Sequence, residues 1–152
     1  MMPRMDAGAG GDPFDLERFR AAQASAYDGA LAEIRAGRKV GHWIWFVFPQ
    51  LVGLGRSELS RTYGLRSLDE ARAYLADPVL GPRLVEVAGA LLAVEGRSAE
   101  AILGDIDALK VRSSLTLFHR AAPDEPVFRA VLERYYGGVP DPATDALLVP
   151  DR

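Results

Sequence analysis

Residues 38–50 read RKVGHWIWFVFPQ, and this stretch decides the fold class. Its aromatic and β-branched side chains are typical of a β-strand. A strand needs a partner, however, and no other segment of the sequence has a convincing strand pattern. A short buried helix that ends at Pro49 therefore fits residues 42–48 better. The sequence predicts an all-α protein in which this aromatic segment is buried.

Helix-start signals lie on both sides of this segment. Three of them are the pairs Asp12-Pro13, Asp77-Pro78 and Asp141-Pro142. The carboxylate can cap free backbone N–H groups, and proline suits the first helical position because the N–H at that position has no partner within the helix. Ser67 and Glu70 form a capping box, and further caps are expected at Ser57 and Asp124.

Apolar residues at three- and four-residue spacing outline the helices that follow these signals. Besides residues 42–48, helices are predicted near 13–23, 25–36, 57–63, 67–76, 78–94, 98–103, 105–121, 125–136 and 142–148. With 152 residues, 49% of them hydrophobic, the chain is long enough for one domain with a substantial core. We expect a disordered tail at 1–11, a single compact domain of short helices at 12–148 and a frayed end at 149–152.

Composition argues against several classes of function. Eighteen Lys and Arg against 21 Asp and Glu give a net charge of −3, which does not favour nucleic-acid binding. Without cysteine the chain has no disulfide, thiolate metal site or thiol nucleophile. His42 and His119 show no metal-ligand spacing, so no metal or cofactor is predicted. The start lacks the apolar core of a signal peptide and no apolar run is of membrane length, so we expect a cytoplasmic protein without a membrane partner.

Cations and aromatic residues adjoin within residues 38–50. Arg38 and Lys39 could bind a phosphate or carboxylate while Trp43 or Trp45 stacks on a planar group. The same two cations would also be favourable at the negative end of the preceding helix. His42 could act as a general acid or base, or serve as a hydrogen-bonded structural residue. The sequence leaves both interpretations open.

A second polar cluster lies in the helix predicted at 105–121. Its apolar face is assigned to Ile106, Leu109, Leu117 and Phe118, and the residues predicted on the same side are Lys110, Ser113 and Ser114. In one interpretation Lys110 reaches water and each serine bonds to a carbonyl one turn earlier. In the other, these groups line a pocket, with a Ser–Lys nucleophile pair as the extreme case. Gln23, on the apolar face of the first helix, also needs hydrogen-bond partners.

These clusters predict a pocket beside residues 38–50 that binds a small anionic ligand of the nucleotide or sugar-phosphate kind. The expected ligand-binding residues are Arg38, Lys39, His42, Trp43, Trp45, Gln50, Lys110, Ser113, Ser114 and Gln23, with His42 and Lys110 as candidate catalytic groups. The alternative is a protein–protein interaction or self-association module that uses the exposed face of the same segment. The sequence specifies no ligand, no reaction and no oligomeric state.

Four stretches of the chain resemble a known family. They are DPFDLERFRAAQ at 12–23, GRKVGHWIWFVFPQLVGLGRS at 37–57, YLADPVLGPRL at 74–84 and LKVRSSLTLF at 109–118. They are similar to the bacterial family catalogued as domain of unknown function 1810, and the similarity extends from about residue 12 to 148. Leu115 departs mildly from the methionine expected there. The resemblance implies a compact multihelical cytoplasmic protein and supplies no activity, substrate or cofactor.

Overall fold

A computed structural model describes residues 11–149. The predicted tail at 1–11 and frayed end at 149–152 therefore lie outside the described residues, apart from Gly11 and Val149. Within this range the chain forms helices and no β-strand, which confirms the all-α prediction. The helices are α1 (Glu17–Arg35), α2 (Ile44–Val47), α3 (Glu58–Thr62), α4 (Leu68–Ala76), α5 (Leu80–Ala93), α6 (Ala99–Leu103), α7 (Asp105–Ala121), α8 (Pro126–Tyr136) and α9 (Pro142–Leu148). No helix in this part of the chain combines the length and apolar character that a bilayer crossing requires.

The first helix differs from the prediction. Two helices were expected at 13–23 and 25–36, but α1 is one continuous helix of 19 residues preceded by a turn. Its buried residues form a single stripe, which explains the continuity: Phe19, Gln23, Tyr27, Ala30, Leu31 and Ile34. Asp12 still caps the start, because its carboxylate accepts hydrogen bonds from the backbone N–H groups of Leu16 at 2.6 Å and Glu17 at 2.9 Å.

Most of the predicted caps are present. The Asp77 carboxylate accepts from the backbone N–H groups of Val79 and Leu80, and Ser57, Ser67 and Asp141 also cap their helices. The cap predicted at Asp124 is wrong. Glu125 takes that role at α8, and its carboxylate lies 3.2 Å from the Val127 nitrogen. The longer glutamate side chain can reach back to the first turn from the position next to the proline.

The aromatic segment is a short helix, as predicted. Ile44–Val47 form α2, and the flanking Trp43 and Phe48 are 3% and 0% exposed. Leu51 and Leu65 then form an isolated parallel bridge, closed by N–H···O bonds from Val52 to Leu65 and from Leu65 to Gln50 of 2.8 Å each. These bonds fix the path of the chain after α2.

Helix α7 is central and packs against α2, α4, α6, α8 and α9. Its buried apolar face follows Ala108, Val111, Leu115 and Phe118, together with Leu117. Ile106 and Leu109 are 71% and 61% exposed, so their assignment to the apolar face is wrong. Because the packed stripe starts at Ala108, both side chains lie on the solvent side of the helix.

Candidate functional site

One cleft brings together residues from the two polar clusters. Its volume is about 560 Å³, and it lies between the chain around residues 39–45 and the junction of α6 and α7. The lining residues are Lys39, His42, Trp45, Leu103, Gly104, Asp105, Ile106, Asp107 and Lys110. Four residues predicted from two distant parts of the sequence therefore share one concave surface.

The first turn of α7 forms part of the cleft. Gly104 precedes it with φ +87° and ψ 158°, a conformation that favours glycine because a Cβ would be strained there. In the part of the chain that the structure describes, no side chain caps this helix, and its first internal hydrogen bond runs from Ala108 N–H to the Gly104 carbonyl. The positive end of the α7 dipole therefore lies at the cleft.

Asp107 links the two lysines of the cleft. Its carboxylate oxygens lie 2.8 Å from Lys39 Nζ and 3.6 Å from Lys110 Nζ. The Lys39 side chain is 8% exposed and also donates to the Gly41 carbonyl, whereas the Lys110 side chain is 24% exposed. Two ammonium groups share one carboxylate, which leaves one positive charge in excess among the three. Lys110 is thus the ammonium more available to a ligand.

Trp45 supplies an aromatic surface beside that ammonium. Lys110 Nζ lies 5.0 Å from the centre of the Trp45 ring, within the range of a cation–π contact. The indole N–H of Trp45 is buried and has no hydrogen-bond partner among the described residues. His42 is exposed and lines the same cleft. The cleft thus offers an aromatic face, a positive charge and an imidazole.

Glu33 on α1 holds the loop that carries Lys39 and His42. One of its carboxylate oxygens accepts from Val40 N–H at 2.8 Å, Gly41 N–H at 2.9 Å and the Trp43 indole at 2.9 Å. Burial alone would raise the pKa of Glu33, but these hydrogen bonds outweigh it and hold the pKa below its ordinary value. Sequence reasoning missed Glu33 because nothing local connects it with residues 40–43.

A smaller pocket of about 270 Å³ adjoins the cleft. Its lining residues are Gln50, Leu54, Gly55, Ile106, Leu109, Lys110, Ser113, Asp141 and Ala143. Ile106 and Lys110 line both cavities. The Ser113 hydroxyl is 2.9 Å from Asp141 Oδ2 and 3.2 Å from the Leu109 carbonyl. The bond to a carbonyl one turn earlier is therefore present at Ser113.

Four other predicted residues lie outside both cavities. Arg38 is exposed, and Trp43 is buried with its indole N–H on Glu33. Gln23 is 1% exposed and donates to the Phe46 carbonyl and the Tyr74 hydroxyl. Ser114 is fully buried and its hydroxyl has no partner among residues 11–149, so the backbone bond expected for it is absent.

An apolar pocket of about 480 Å³ lies elsewhere, next to α5 and α8. Its ionisable lining residues are Glu86 and Glu125. Both are engaged, since Glu86 accepts from the Tyr27 hydroxyl and Glu125 caps α8. No group of three or more His, Asp or Glu side chains that could hold a metal ion occurs in the described range. The cleft beside Trp45 is therefore the stronger candidate.

Comparison with known proteins places the chain in a family. The family described as "Protein of unknown function (DUF1810)" matches residues 13–148. The crystal structure of the conserved hypothetical protein Rv1873 from Mycobacterium tuberculosis is similar, with a TM-score of 0.90 and 55% sequence identity over 92% of this chain and 100% of that one. No curated protein matches the chain. The chain belongs to the DUF1810 family.

Proposed function

We propose that this protein binds a small anionic ligand, of the nucleotide or sugar-phosphate kind, in the cleft beside Trp45. The observation that carries the proposal is the position of Lys110, whose ammonium lies 5.0 Å from the Trp45 ring and lines a cleft of about 560 Å³. That volume is within the range of about 300–1,000 Å³ for ligand pockets. The proposal includes a cytoplasmic location, where such metabolites are abundant.

Electrostatics favours an anion in this cleft. Lys39 and Lys110 together carry one more positive charge than Asp107 neutralises. The uncapped first turn of α7 adds backbone N–H groups and the positive end of a helix dipole, which suit a phosphate or carboxylate. Asp105 also lines the cleft and formally balances this charge, but it is exposed, so water and salt screen it.

Asp107 has a defined role in this proposal. Its carboxylate occupies the two ammonium groups in the ligand-free protein, so an incoming anion competes with it. Removal of the Asp107 charge should therefore strengthen anion binding, and removal of the Lys110 charge should weaken it. The proposal concerns binding alone. His42 and Lys110 are the groups that could move a proton if a reaction takes place there.

The test is isothermal titration calorimetry of the purified protein with ATP, UDP, ribose 5-phosphate and glucose 6-phosphate. For any of these compounds that binds, Lys110→Met should weaken the affinity about tenfold or more, and Asp107→Asn should strengthen it. Arg129→Met is the matched control, because Arg129 is an exposed cation paired with Glu133 and does not line the cleft. Failure of all four compounds to bind, or equal binding by Lys110→Met, would contradict the proposal.

Self-association is a second candidate function. Val40, Ile106 and Leu109 are 70%, 71% and 61% exposed, and large apolar side chains with this exposure favour an interface. The test is sedimentation velocity at several protein concentrations. A dimer that Ile106→Glu with Leu109→Glu dissociates would support this function, and a monomer at every concentration would exclude it.

A further inference from the structure

We propose that the cleft and the adjoining smaller pocket hold two parts of one ligand, and that the part in the smaller pocket is a hydroxyl-rich, sugar-like group. This inference rests on the proposed function of the cleft. It adds the chemical class of the ligand, namely an anionic linker between a planar group and a polyhydroxylated group.

The two cavities adjoin along α7. Ile106 and Lys110 are one turn apart on this helix, and both line the cleft and the smaller pocket. The Lys110 ammonium is 3.6 Å from Asp107, which lines the cleft, while the Lys110 side chain also contributes to the pocket that contains Ser113. An anionic linker paired with Lys110 would thus have ligand-sized space on either side.

The volumes of the two cavities favour a ligand that has two parts, one in each cavity. The smaller pocket has a volume of about 270 Å³, below the range of about 300–1,000 Å³ for pockets that enclose a whole ligand. The cleft has about 560 Å³ and contains the aromatic surface of Trp45. The smaller pocket is therefore suited to one part of a ligand whose other part lies against Trp45.

The polar groups of the smaller pocket are those that bind hydroxyls. The Gln50 carboxamide has no hydrogen-bond partner among the described residues, and it can both donate and accept. The Asp141 carboxylate uses Oδ2 for Ser113, for the Thr144 N–H and for the Thr144 hydroxyl. Its other oxygen has no partner within residues 11–149 and can accept from a ligand hydroxyl.

Charge determines which part of the ligand enters the smaller pocket. Asp141 is the acidic residue among the pocket-lining residues and would repel a phosphate. The anionic group is therefore expected at Lys110, and the neutral group that donates hydrogen bonds is expected beside Asp141 and Gln50. A sugar joined to a phosphate has this arrangement.

The experiment compares matched probes by isothermal titration calorimetry. The pairs are ADP with ADP-glucose, UDP with UDP-glucose and GDP with GDP-mannose. Each nucleotide sugar adds one hexose and carries about one negative charge fewer, because the sugar esterifies the terminal phosphate. The wild-type protein should bind at least one nucleotide sugar about tenfold more tightly than its nucleoside diphosphate. Ala143→Phe should remove this advantage and leave the diphosphate affinity unchanged, because Ala143 is exposed and lines only the smaller of the two cavities. Ala146→Phe, an exposed alanine on the same helix that lines neither cavity, is the control.

The outcomes separate this inference from the proposed function. Equal affinity for both members of every pair would overturn the proposal of a two-part ligand. An equal loss of affinity for both members in Ala143→Phe would do the same. In either case the cleft would still bind anions. Failure of all six probes to bind would overturn this inference alone, since the sugar phosphates of the first titration still test the proposed function. Binding that Lys110→Met leaves unchanged would overturn the proposed function and this inference with it.

Discussion

Gly81 in α5 lies so close to Leu75 in α4 that a Cβ on Gly81 would be 2.0 Å from the Leu75 carbonyl oxygen. A backbone atom cannot move away as a flexible side chain can. Gly81→Ala should therefore force α4 and α5 apart and lower the free energy of unfolding by about 2–3 kcal/mol. Urea unfolding followed by circular dichroism measures this loss.

Gly89→Ala on the same helix is the control for Gly81→Ala. No atom lies within 4 Å of a Cβ placed at Gly89. Alanine is a better helix former than glycine, so this change should stabilise the protein by about 0.5–1 kcal/mol. Similar effects of the two substitutions would contradict the close contact between Gly81 and Leu75.

Arg18 and Glu70 form a buried ion pair that joins the start of α1 to α4. Glu70 is 1% exposed and lies 3.1 Å from the guanidinium, which also donates to four backbone carbonyls. Arg18→Met should cost about 3–5 kcal/mol, because it leaves a buried carboxylate without its counter-ion. The double variant with Glu70→Leu should be less destabilised than the two single losses added together. Strict additivity in this cycle would show that the pair is not coupled.

Ser113 and Ser114 should respond oppositely to alanine. Ser113→Ala removes a hydroxyl that bonds to Asp141 and the Leu109 carbonyl, so a loss of about 0.5–1.5 kcal/mol is expected. Ser114→Ala removes a buried hydroxyl that has no partner among the described residues, so it should leave stability unchanged or raise it by about 1 kcal/mol. Chemical unfolding of both variants measures the difference. A large loss in Ser114→Ala would indicate a partner such as a bound water.

The contribution of Glu33 to stability should depend on pH. Its pKa in the folded protein lies below the ordinary value of 4.5, so its stabilising effect is complete above that value and is lost as pH falls through the folded pKa. At pH 7, Glu33→Gln should lower the free energy of unfolding by about 1–3 kcal/mol, since three donors lose a charged acceptor. The gap between wild type and variant should shrink below pH 4.5. A gap that is constant with pH would contradict this assignment, and exposed Glu133→Gln serves as the control.

Much of the fold could be predicted because the helix starts are encoded locally. The Asp77 and Asp141 carboxylates cap the helices that their Asp-Pro pairs predict, and the short helix before Pro49 is present. The sequence did not show in the same way which face of α7 is buried. Ile106 and Leu109 have the spacing of an apolar face, and only packing against neighbouring helices determines that Ala108 and Val111 are buried instead.

The residues of the candidate cleft could be predicted only in part. Four of the predicted residues stand out because polar and aromatic side chains occur together in otherwise apolar segments. All four line the cleft: Lys39, His42, Trp45 and Lys110. Trp43 has the same residue type as Trp45, but its side chain is buried in the core. The two residues are less than one helical turn apart, so the sequence alone does not indicate which of them faces the cleft. Asp107 was missed because an acidic residue in a first turn is explained by the helix dipole alone.

If the cleft binds anions as proposed, the carboxylate of Asp107 would also make binding depend on how many negative charges the ligand carries. A singly charged anion that takes its place exchanges one ion pair for another, so the net gain in free energy is small. A doubly charged phosphate brings one charge more than the group it displaces. On the proposed function, the ion pairs of Asp107 would therefore favour dianions over monocarboxylates.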